Sequence, residues 1–531
     1  MRLLSYLWLA LLIGGFSSPA LAYKTIDKDG KEVKNERKVR YRADCASAQA
    51  ETDQNVNNVR ARLRSGGDVW WDGDEGLYIV PNVQTTPKSS IFAGSVWLGG
   101  VDDEGNLKLA CQDYRSNNNE DFWPGPLTPD QGTVSPDTCA QWDRFFTVRG
   151  ENIRTHFQNY RRSCTNPETL EGCDYDPNTI PLDVKGWPAT GNPFFRDVHG
   201  FDLPNTSQGL AGFYDVTPDN IYDPSTGDFP IIEIRGCDEI LTLETTIDRA
   251  LPDEMIFWIY NDAGGPHTAS MGQPIRMEIQ VQAFAYESDD ELNNMTFQRY
   301  KLINRATAPI DSTFFAMWVD ADLGCALDDY VGCDVDRSLA FIYNADAFDE
   351  NCLGANGYQS EVPIVGVDYF RGPLGPKVRD TAIVVNPDDP NLLDTVVTFR
   401  NPGVGELGDT ILELGMSSFT YYNNPGSEPT PEGATTDPNS PTEFYNYLTG
   451  SWRDGTPFTF GGSAYNPGSE DLVQYAFTEP PNDPNGWSMC ALNLAPGDRR
   501  TIQASGPFRL LPGATNELII GVVWTPNMQY P

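Results

Sequence analysis

The chain has 531 residues, of which 75 are acidic and 37 are basic, so its formal net charge is −38. This charge repels the phosphates of nucleic acids and anionic membrane surfaces, and it attracts divalent cations. Aromatic residues make up 11% of the chain, which is too many for an acidic disordered protein and therefore indicates folded cores. The 48 glycines and 41 prolines favour short strands joined by many turns.

The first 22 residues carry the features of a secretory signal peptide. Arg2 supplies the positive charge, LLSYLWLALLIGG supplies a short apolar stretch, and Ala-Leu-Ala at 20–22 supplies a small-x-small cleavage site. No later apolar run is long enough to cross a membrane as a helix. We therefore predict that residues 1–22 are removed on export and that the mature chain is secreted, without a transmembrane segment.

Residues 23–230 are predicted to form an N-terminal, β-rich region with long loops. Residues 51–65 (ETDQNVNNVRARLRS) have a helix-like pattern that ends at two glycines. Residues 90–114 alternate apolar and small side chains and break at Asp-Glu-Gly-Asn, which predicts a β-hairpin. Segments such as PGPLTPD and YDPSTGD predict long turn-rich loops after it.

Residues 231–400 are predicted to form a central β-sandwich domain that contains an acidic cluster. Aromatic and β-branched runs recur there between turns, as in MIFWIYNDAG, RMEIQVQAFAYES, MTFQRYKLINRA and STFFAMWVD. In the C-terminal β-rich region, 401–531, the stretch 499–525 has the pattern of strand, Pro-Gly turn and strand. The whole sequence predicts a mainly β fold of antiparallel β-sandwich domains with long loops and few short helices.

All ten cysteines lie beyond the signal peptide, and an even number in an exported chain favours disulfide bonds. Cys164 with Cys173, and Cys325 with Cys333, are close enough in sequence to close small loops, although spacing leaves the connectivity open. The chain has three histidines and no CxxC motif, so a structural zinc site of the usual spacing is not expected.

Long pieces of the sequence point to a group of known proteins. They are NNVRARLRSGGDVWWD at 57–72, YNDAGGPHTASMGQPIRMEIQVQAFAY at 260–286, WVDADLGCALDDYVGCDVDRSLAFIYNADAFDE at 318–350 and SGPFRLLPGATNELIIGVVW at 505–524. These pieces resemble the shared region of uncharacterised long secreted surface proteins of Bacteroidota, many of which carry a sorting domain for type IX secretion. That region has no established enzymatic activity, so the resemblance implies a cell-surface location without defining a task.

The stretch DADLGCALDDYVGCDVDR at 320–337 is the candidate metal site. It holds six aspartates, namely Asp320, Asp322, Asp328, Asp329, Asp334 and Asp336. Calcium takes about six to eight oxygen ligands, mostly from flexible loops, and closely spaced carboxylates beside a glycine can supply them. The spacing is not that of an EF-hand, because Gly324 falls at position 5 and Val331 at position 12. We predict Ca²⁺ binding by these six residues; a solvated acidic turn and acid–base catalysis are the alternatives.

No catalytic residue is assigned from the sequence. His267 lies near Ser270, but no G-x-S-x-G elbow or third triad member accompanies them. The tryptophans of VWWD at 69–72 and DFWPGP at 121–126 could stack on sugars, and a place in the β core is favoured. No phosphate-binding loop or dinucleotide fingerprint occurs in a strand-to-helix setting, so nucleotide chemistry is not expected.

These features together predict an exported, calcium-stabilised, β-rich surface protein whose role is structural or adhesive rather than enzymatic. Its expected partners are surface glycans, surface proteins or copies of itself. One alternative is an extracellular polysaccharide-degrading enzyme or a carbohydrate-binding module. A second alternative is a subunit of an extracellular filament or sheath, in which an unpaired edge strand accepts a neighbour.

Overall fold

The fold is taken from a computed structural model. It describes residues 44–526, except 84, 117–118, 235–250, 377, 386–392, 401–402, 407–410 and 425–432. The predicted signal peptide, residues 1–22, lies outside the described residues.

The described residues form 27 strands and five α-helices. The first fifteen strands are β1 (Glu51–Gln54), β2 (Arg60–Arg64), β3 (Asp68–Val69), β4 (Tyr78–Ile79), β5 (Ala93–Asp102), β6 (Leu107–Cys111), β7 (Trp123–Pro124), β8 (Phe146–Arg149), β9 (Cys164–Asn166), β10 (Glu171–Cys173), β11 (Phe213–Tyr214), β12 (Phe229–Pro230), β13 (Glu254–Asn261), β14 (Met277–Ala285) and β15 (Met295–Asn304). The others are β16 (Ile310–Asp320), β17 (Asp329–Asp334), β18 (Leu339–Asn344), β19 (Ile364–Arg371), β20 (Leu374–Pro376), β21 (Val378–Val385), β22 (Leu393–Arg400), β23 (Gly403–Glu406), β24 (Ile411–Leu414), β25 (Ser418–Asn423), β26 (Arg499–Leu510) and β27 (Thr515–Thr525). The helices are α1 (Pro136–Trp142), α2 (Gly150–Ser163), α3 (Leu182–Lys185), α4 (Phe195–His199) and α5 (Pro441–Leu448).

Two nine-stranded sheets carry the fold. The first sheet runs β1-β2-β3-β5-β16-β26-β25, with β4 paired to β2 and β6 paired to β5. The second sheet runs β17-β18-β19-β27-β15-β14-β13-β7, with β8 also paired to β13. The long central pairs of both sheets are antiparallel, so the predicted mainly β, antiparallel architecture is confirmed.

The two sheets pack as a sandwich, and strands β13, β14 and β15 of the second sheet are buried on both faces. Strand β13 reads EMIFWIYN, and its apolar residues face two different cores. Ile256 and Trp258 lie in the core between the sheets, whereas Met255 and Phe257 lie in a second core that includes residues of α2. A strand covered on both sides needs apolar side chains at nearly every position, which explains its composition.

The predicted helix at 51–65 is wrong, because this segment forms the hairpin of β1 and β2. Ala61 and Leu63 are buried at alternate positions, and a period of two is the pattern of a strand. Arg62 donates across the hairpin to Glu51 at 2.6 Å and to Asp53 at 2.5 Å. The helix-like spacing of its charges therefore reflects cross-strand pairing. The longest described helix, α2, falls in the segment that was predicted as loops.

The terminal pattern of strand, turn and strand is confirmed, and its two strands enter different sheets. Strand β26 pairs with β16 in the first sheet, while β27 pairs with β15 and β19 in the second. In the first sheet, β5 from the predicted N-terminal region, β16 from the central region and β26 from the C-terminal region are neighbours. The chain between β26 and β27 thus connects the two layers of the sandwich.

Three disulfides join described cysteines. Cys164–Cys173 is one of the predicted pairs, and Cys45–Cys139 is a long-range bond. The predicted pair Cys325/Cys333 is wrong, because Cys325 is bonded to Cys352. Cys333 lies inside β17 with its thiol buried in the core, while Cys325 lies in the loop before that strand. Among the described helices, none is long and apolar enough to span a membrane.

Candidate metal centre

The acidic stretch begins where β16 ends. Asp320 is the last residue of β16 and pairs in register with Ala93 of β5 on one side and Arg500 of β26 on the other. The chain then leaves the first sheet through Gly324, whose φ is +77°, and enters the second sheet as β17. Because β26 begins beside Asp320, its preceding residue Asp498 is delivered to the same place.

Asp320, Asp322 and Asp498, hereafter the aspartate triad, meet at this point. One carboxylate oxygen of each lies within 4.8 Å of the other two. Asp320 is only 2% exposed, and the side chain of Asp498 is 14% exposed. Oxygen ligands at this separation are what a calcium ion can bridge. The sequence pattern identified Asp320 and Asp322 as candidate ligands but missed Asp498. Only the pairing of β26 with β16 in the folded chain brings Asp498 to this place.

One guanidinium group already contacts the triad. The Nε atom of Arg500 lies 3.3 Å from Oδ1 of Asp320, and its Nη1 donates to Oδ1 of Asp498. Tyr114 donates its hydroxyl hydrogen to Oδ2 of Asp320 and accepts from Arg500 Nη2 at 2.6 Å. Three carboxylates and one guanidinium leave a formal charge of −2, which equals the charge that one divalent cation would neutralise.

Burial and the remaining negative charge raise the pKa values of two members of the triad. Burial raises the pKa of Asp320 to about 6, and the Arg500 guanidinium only partly offsets this. The pKa of Asp322 is raised well above its usual range, first by burial and then by the negative charges of Asp320 and Asp498. Its Oδ1 atom is buried without a hydrogen-bond partner. A proton or a bound cation would relieve the repulsion between these groups.

Asp328 and Asp329 lie on the other side of the same loop. Asp329 starts β17, and its Oδ2 accepts a hydrogen bond from the Leu323 backbone N–H at 2.8 Å. Asp328 has two buried side-chain oxygens without a hydrogen-bond partner. Burial raises the pKa of both residues, and the negative charge of Asp349, a buried residue that the sequence did not single out, adds to this effect.

Asp334 and Asp336 are separated from these groups by strand β17. Asp334 ends the strand, so it lies roughly 17 Å from Asp329 at the usual rise of an extended chain. It accepts from Nη1 of Arg337 at 2.5 Å, and Asp336 is exposed. The structure does not bring these two predicted ligands to the triad.

His267 and Ser270 are not arranged for nucleophilic catalysis. Ser270 donates its hydroxyl hydrogen to Asp121 rather than to the imidazole. The imidazole nitrogens of His267 lie 2.7 Å from the backbone oxygens of Leu109 and Asp262. A nucleophile needs its base within hydrogen-bonding reach, and here the base is engaged elsewhere.

A cavity beside α3 and α4 also does not fit a glycosidase. It has a volume of about 510 Å³ and is lined by Phe145, Phe146, Thr147, Asn152, Pro181, Leu182, Asp183, Gly186, Val198 and His199. Its single carboxylate, Asp183, accepts from Arg149 N–H and Asn152 Nδ2, whereas hydrolysis of sugars uses two carboxyl groups. Trp71 and Trp123, which could have stacked on sugars, are 6% and 2% exposed and belong to the core.

Neither a scan against models of known protein families nor a search of curated proteins returned a match to this chain. The geometry of the site therefore has to support the functional argument by itself.

Proposed function

We propose that this chain is an exported, calcium-stabilised surface protein with a structural or adhesive role. The aspartate triad carries the proposal. It combines three carboxylates, one guanidinium and an unpartnered buried oxygen at the junction of both sheets. A cation bound there would hold the end of β16 to the start of β26, and it would stabilise the sandwich by binding the folded state alone.

The donor set favours calcium over other divalent metals. All three side chains of the triad offer oxygen, which suits Ca²⁺, whereas structural zinc sites use thiolates and imidazoles. Asp322 lies in a loop rather than in a strand, and calcium tolerates the irregular geometry that a loop provides. Magnesium requires a near-octahedral arrangement and retains several waters, so it fits a partly buried loop site less well.

The disulfides support an exported protein. Disulfides form and persist in oxidising compartments, and three of them link described cysteines. The net charge of −38 suits a protein that works in calcium-containing extracellular fluid. Location at the cell surface, as opposed to release, rests on the resemblance of long sequence pieces to secreted surface proteins of Bacteroidota.

The edges of the first sheet give little support for a filament subunit. Strand β1 is four residues long and carries Glu51 and Asp53, and short charged edges resist strand addition. On the other edge, Phe419 of β25 exchanges backbone hydrogen bonds with Gln474 and Ala476. Loops that bind glycans or proteins therefore agree better with this architecture than strand exchange between copies.

Thermal unfolding of residues 23–531 under non-reducing conditions, with calcium or with excess EGTA, tests the calcium role. We expect calcium to raise the melting temperature of the wild type, by an amount equivalent to about 2.7 kcal/mol per site at 100 times Kd. The rise should shrink in Asp498→Asn and persist in Asp336→Asn, an exposed matched control. Superimposed curves for the wild type would refute calcium binding, and an unchanged rise in Asp498→Asn would refute the triad as its location.

The adhesive role needs a separate assay. The calcium-loaded protein is applied to immobilised polysaccharides and to immobilised copies of itself, and soluble products are measured in parallel. We expect retention that EGTA reverses and no release of reducing sugar. Release of reducing sugar at a rate proportional to protein concentration would instead favour the polysaccharide-degrading enzyme.

A further inference from the structure

A cleft beside β8 lies outside the aspartate triad and shares no residue with it. Its walls come from β8, from the first turn of α2, from α3 and from α4, together with residues that flank them. Its volume of about 510 Å³ lies within the range of about 300–1,000 Å³ that is typical of ligand sites. The chemistry of the lining decides which ligand fits.

One part of this lining is apolar. It consists of Phe145, Phe146, Pro181, Leu182 and Val198. Leu182 is 69% exposed, so part of the apolar surface is in contact with water. Apolar surface that a ligand removes from water favours binding. The lining therefore suits a ligand that has an apolar body.

The carboxylate of Asp183 lies in the same cleft and is held in place by hydrogen bonds. Its Oδ2 accepts from the Arg149 backbone N–H at 3.2 Å and from Asn152 Nδ2 at 2.8 Å. Its Oδ1 accepts from the Val184 backbone N–H at 3.0 Å. A carboxylate has about four lone-pair sites, so Asp183 can accept a further hydrogen bond from a ligand.

Two basic side chains close to Asp183 are paired with other groups. Nη2 of Arg149 lies 2.9 Å from Oε1 of Glu254. Nζ of Lys185 donates to the backbone oxygen of Pro177 at 3.1 Å. The cleft therefore presents the negative charge of Asp183 to a ligand. Opposite charges attract each other more strongly in a partly enclosed site than in open water.

The other polar groups of the cleft add hydrogen-bond acceptors. Asn152 uses Nδ2 on Asp183, which leaves its Oδ1 to accept. Nε2 of His199 lies 2.8 Å from the backbone oxygen of Gly186, which can only accept, so in the neutral ring Nε2 carries the proton and Nδ1 is an acceptor. Burial lowers the pKa of His199, which keeps the ring neutral at pH 7. The ligand therefore has to supply the donors.

We propose that this cleft binds a primary ammonium group carried on a small apolar body. The body packs against Leu182 and the other apolar walls, and the ammonium group donates to Asp183, with Asn152 Oδ1 and His199 Nδ1 as further acceptors. An ammonium group has three donors and a positive charge, which complements a lining of acceptors around one carboxylate. A free amine and a lysine side chain of a partner protein share this chemistry. The proposal goes beyond the calcium role, because the cleft and the triad are separate.

Isothermal calorimetry with matched probes tests the proposal. Residues 23–531 are titrated with phenethylamine, with phenethyl alcohol as its neutral match, with phenylacetate as an anion and with methyl glucoside as a sugar. Nα-acetyl-lysine methylamide represents a lysine side chain. The buffer is at pH 7 with about 0.15 M salt, because a Debye length of about 8 Å screens the overall negative charge of the protein.

Two variants with the same change of charge separate the cleft from the rest of the surface. Leu182→Lys places a cation at the cleft, and Leu511→Lys places one outside it, after β26. Both leucines are exposed, 69% and 54%, so neither change disturbs a core. Asp183→Asn removes the charge of the cleft, and thermal unfolding checks that each variant is folded.

We expect phenethylamine to bind at one site, about tenfold more tightly than phenethyl alcohol, and phenylacetate not to bind. Leu182→Lys should weaken the amine by about tenfold, and Leu511→Lys should leave it unchanged within about twofold. Asp183→Asn should remove the preference for the amine over the alcohol. Equal affinities for amine and alcohol in the wild type, or equal weakening in the two lysine variants, would overturn the proposal.

The remaining probes identify the source of the ammonium group. Binding of the lysine derivative as tightly as phenethylamine would support a lysine side chain of a partner protein, and binding of phenethylamine alone would support a free amine. Binding of methyl glucoside alone, or of none of the probes, would overturn the proposal. Neither of these results would affect the calcium role, which the response of thermal unfolding to EGTA tests separately.

Discussion

The cluster around His267 and the aspartate triad both bury carboxylates, but they differ in what neutralises them. Around His267, the two carboxylates of Asp121 and Asp262 lie 3.7 and 3.8 Å from the ring nitrogens. Backbone N–H groups also donate hydrogen bonds to Asp262, from Ile275 and from Met277 at 2.6 Å each. The protein itself completes this cluster.

The acidic loop between β16 and β17 is not completed in the same way. Asp322 and Asp329 each keep a buried oxygen without a hydrogen-bond partner. Burial of unpaired charge is strongly unfavourable, so such oxygens are tolerated where a proton or an external cation can bind. Buried charge alone therefore does not indicate a ligand site, whereas unsatisfied buried charge makes a group a candidate ligand. Three variants and one change of pH test this distinction, from the largest expected effect to the smallest.

Removal of the imidazole should cost the most and should not depend on calcium. Both ring nitrogens of His267 lie 2.7 Å from backbone oxygens, and the carboxylates of Asp121 and Asp262 lie beside the ring. His267→Ala removes the imidazole from between two buried carboxylates, and we expect a loss of about 3–5 kcal/mol in the free energy of unfolding. Urea unfolding with calcium and with EGTA should give the same loss.

His199→Ala is the matched control, because that ring is partly exposed and has a single backbone contact with Gly186. A loss for His267→Ala that appears only in EGTA would contradict the distinction between the two clusters.

Removal of the disulfide Cys325–Cys352 should have the next largest effect. Cys325→Ser with Cys352→Ser opens a bond across 27 residues, for which chain entropy gives about 3.5 kcal/mol. The loss should be greater with calcium than with EGTA, since this bond anchors the loop that carries Asp322 of the triad. Unfolding is followed by circular dichroism in both solutions.

The bond Cys164–Cys173 spans 9 residues and lies away from the acidic loops, so its removal is the control. It should cost about 2.7 kcal/mol by the same relation. An equal calcium dependence for the two double variants would show that the Cys325–Cys352 bond has no connection with the triad.

The pH dependence of stability should differ with and without calcium. The folded-state pKa values of Asp320, about 6, and Asp328, about 7, lie above those of unfolded aspartate. Such groups stabilise the folded state fully below pH 4, and this contribution is lost as the pH rises through their folded pKa values. In EGTA we expect Asp320 alone to lower the unfolding free energy by on the order of 2–3 kcal/mol between about pH 4 and pH 7, and the half-buried Asp328 adds to this fall.

Saturating calcium should remove the part of this fall that comes from Asp320, because the cation replaces the proton. The carboxyl groups of Asp228 and Asp368, whose pKa values burial also raises to about 7, lie outside the triad and should leave a slope that calcium does not change. Identical pH profiles in calcium and EGTA would contradict the cation site.

Replacement of Arg500 should have the smallest effect, and it should strengthen calcium binding while it lowers stability in EGTA. Arg500→Gln removes the guanidinium that, among the described residues, forms ion pairs with Asp320 and Asp498, so calcium loses a competitor for these carboxylates. We expect calcium to bind about tenfold more tightly, which corresponds to about 1.4 kcal/mol, while stability in EGTA falls. Calorimetry measures the affinity, and Arg509→Gln, an exposed ion pair with Asp311, is the control. Weaker calcium binding in Arg500→Gln would indicate that the arginine organises the triad.

The sequence allowed many of the long strands to be predicted because their composition is local. The runs that became β13, β14, β15 and β16 are aromatic or β-branched between turns, and those preferences need no knowledge of the partners. The prediction of a helix at 51–65 failed because its arginines pair across a hairpin, and helical periodicity does not reveal cross-strand pairing. Only part of the candidate site could be predicted, for a similar reason. Asp320 and Asp322 are neighbours in sequence, while Asp498 and Asp349 reach them only through strand pairing and loop packing.

The sequence by itself determined that this chain is acidic, β-rich and cysteine-paired, because charge, aromatic content and turn residues act locally and add along the chain. The tertiary structure decided which charges meet. Strand β17 carries Asp334 away from Asp329, and β26 brings Asp498 and Arg500 to Asp320. The bond to Cys352 places Asp349 beside the acidic loop. Carboxylates interact through space over a few ångströms, so the composition of the sites follows from the packing of strands and loops rather than from residue spacing.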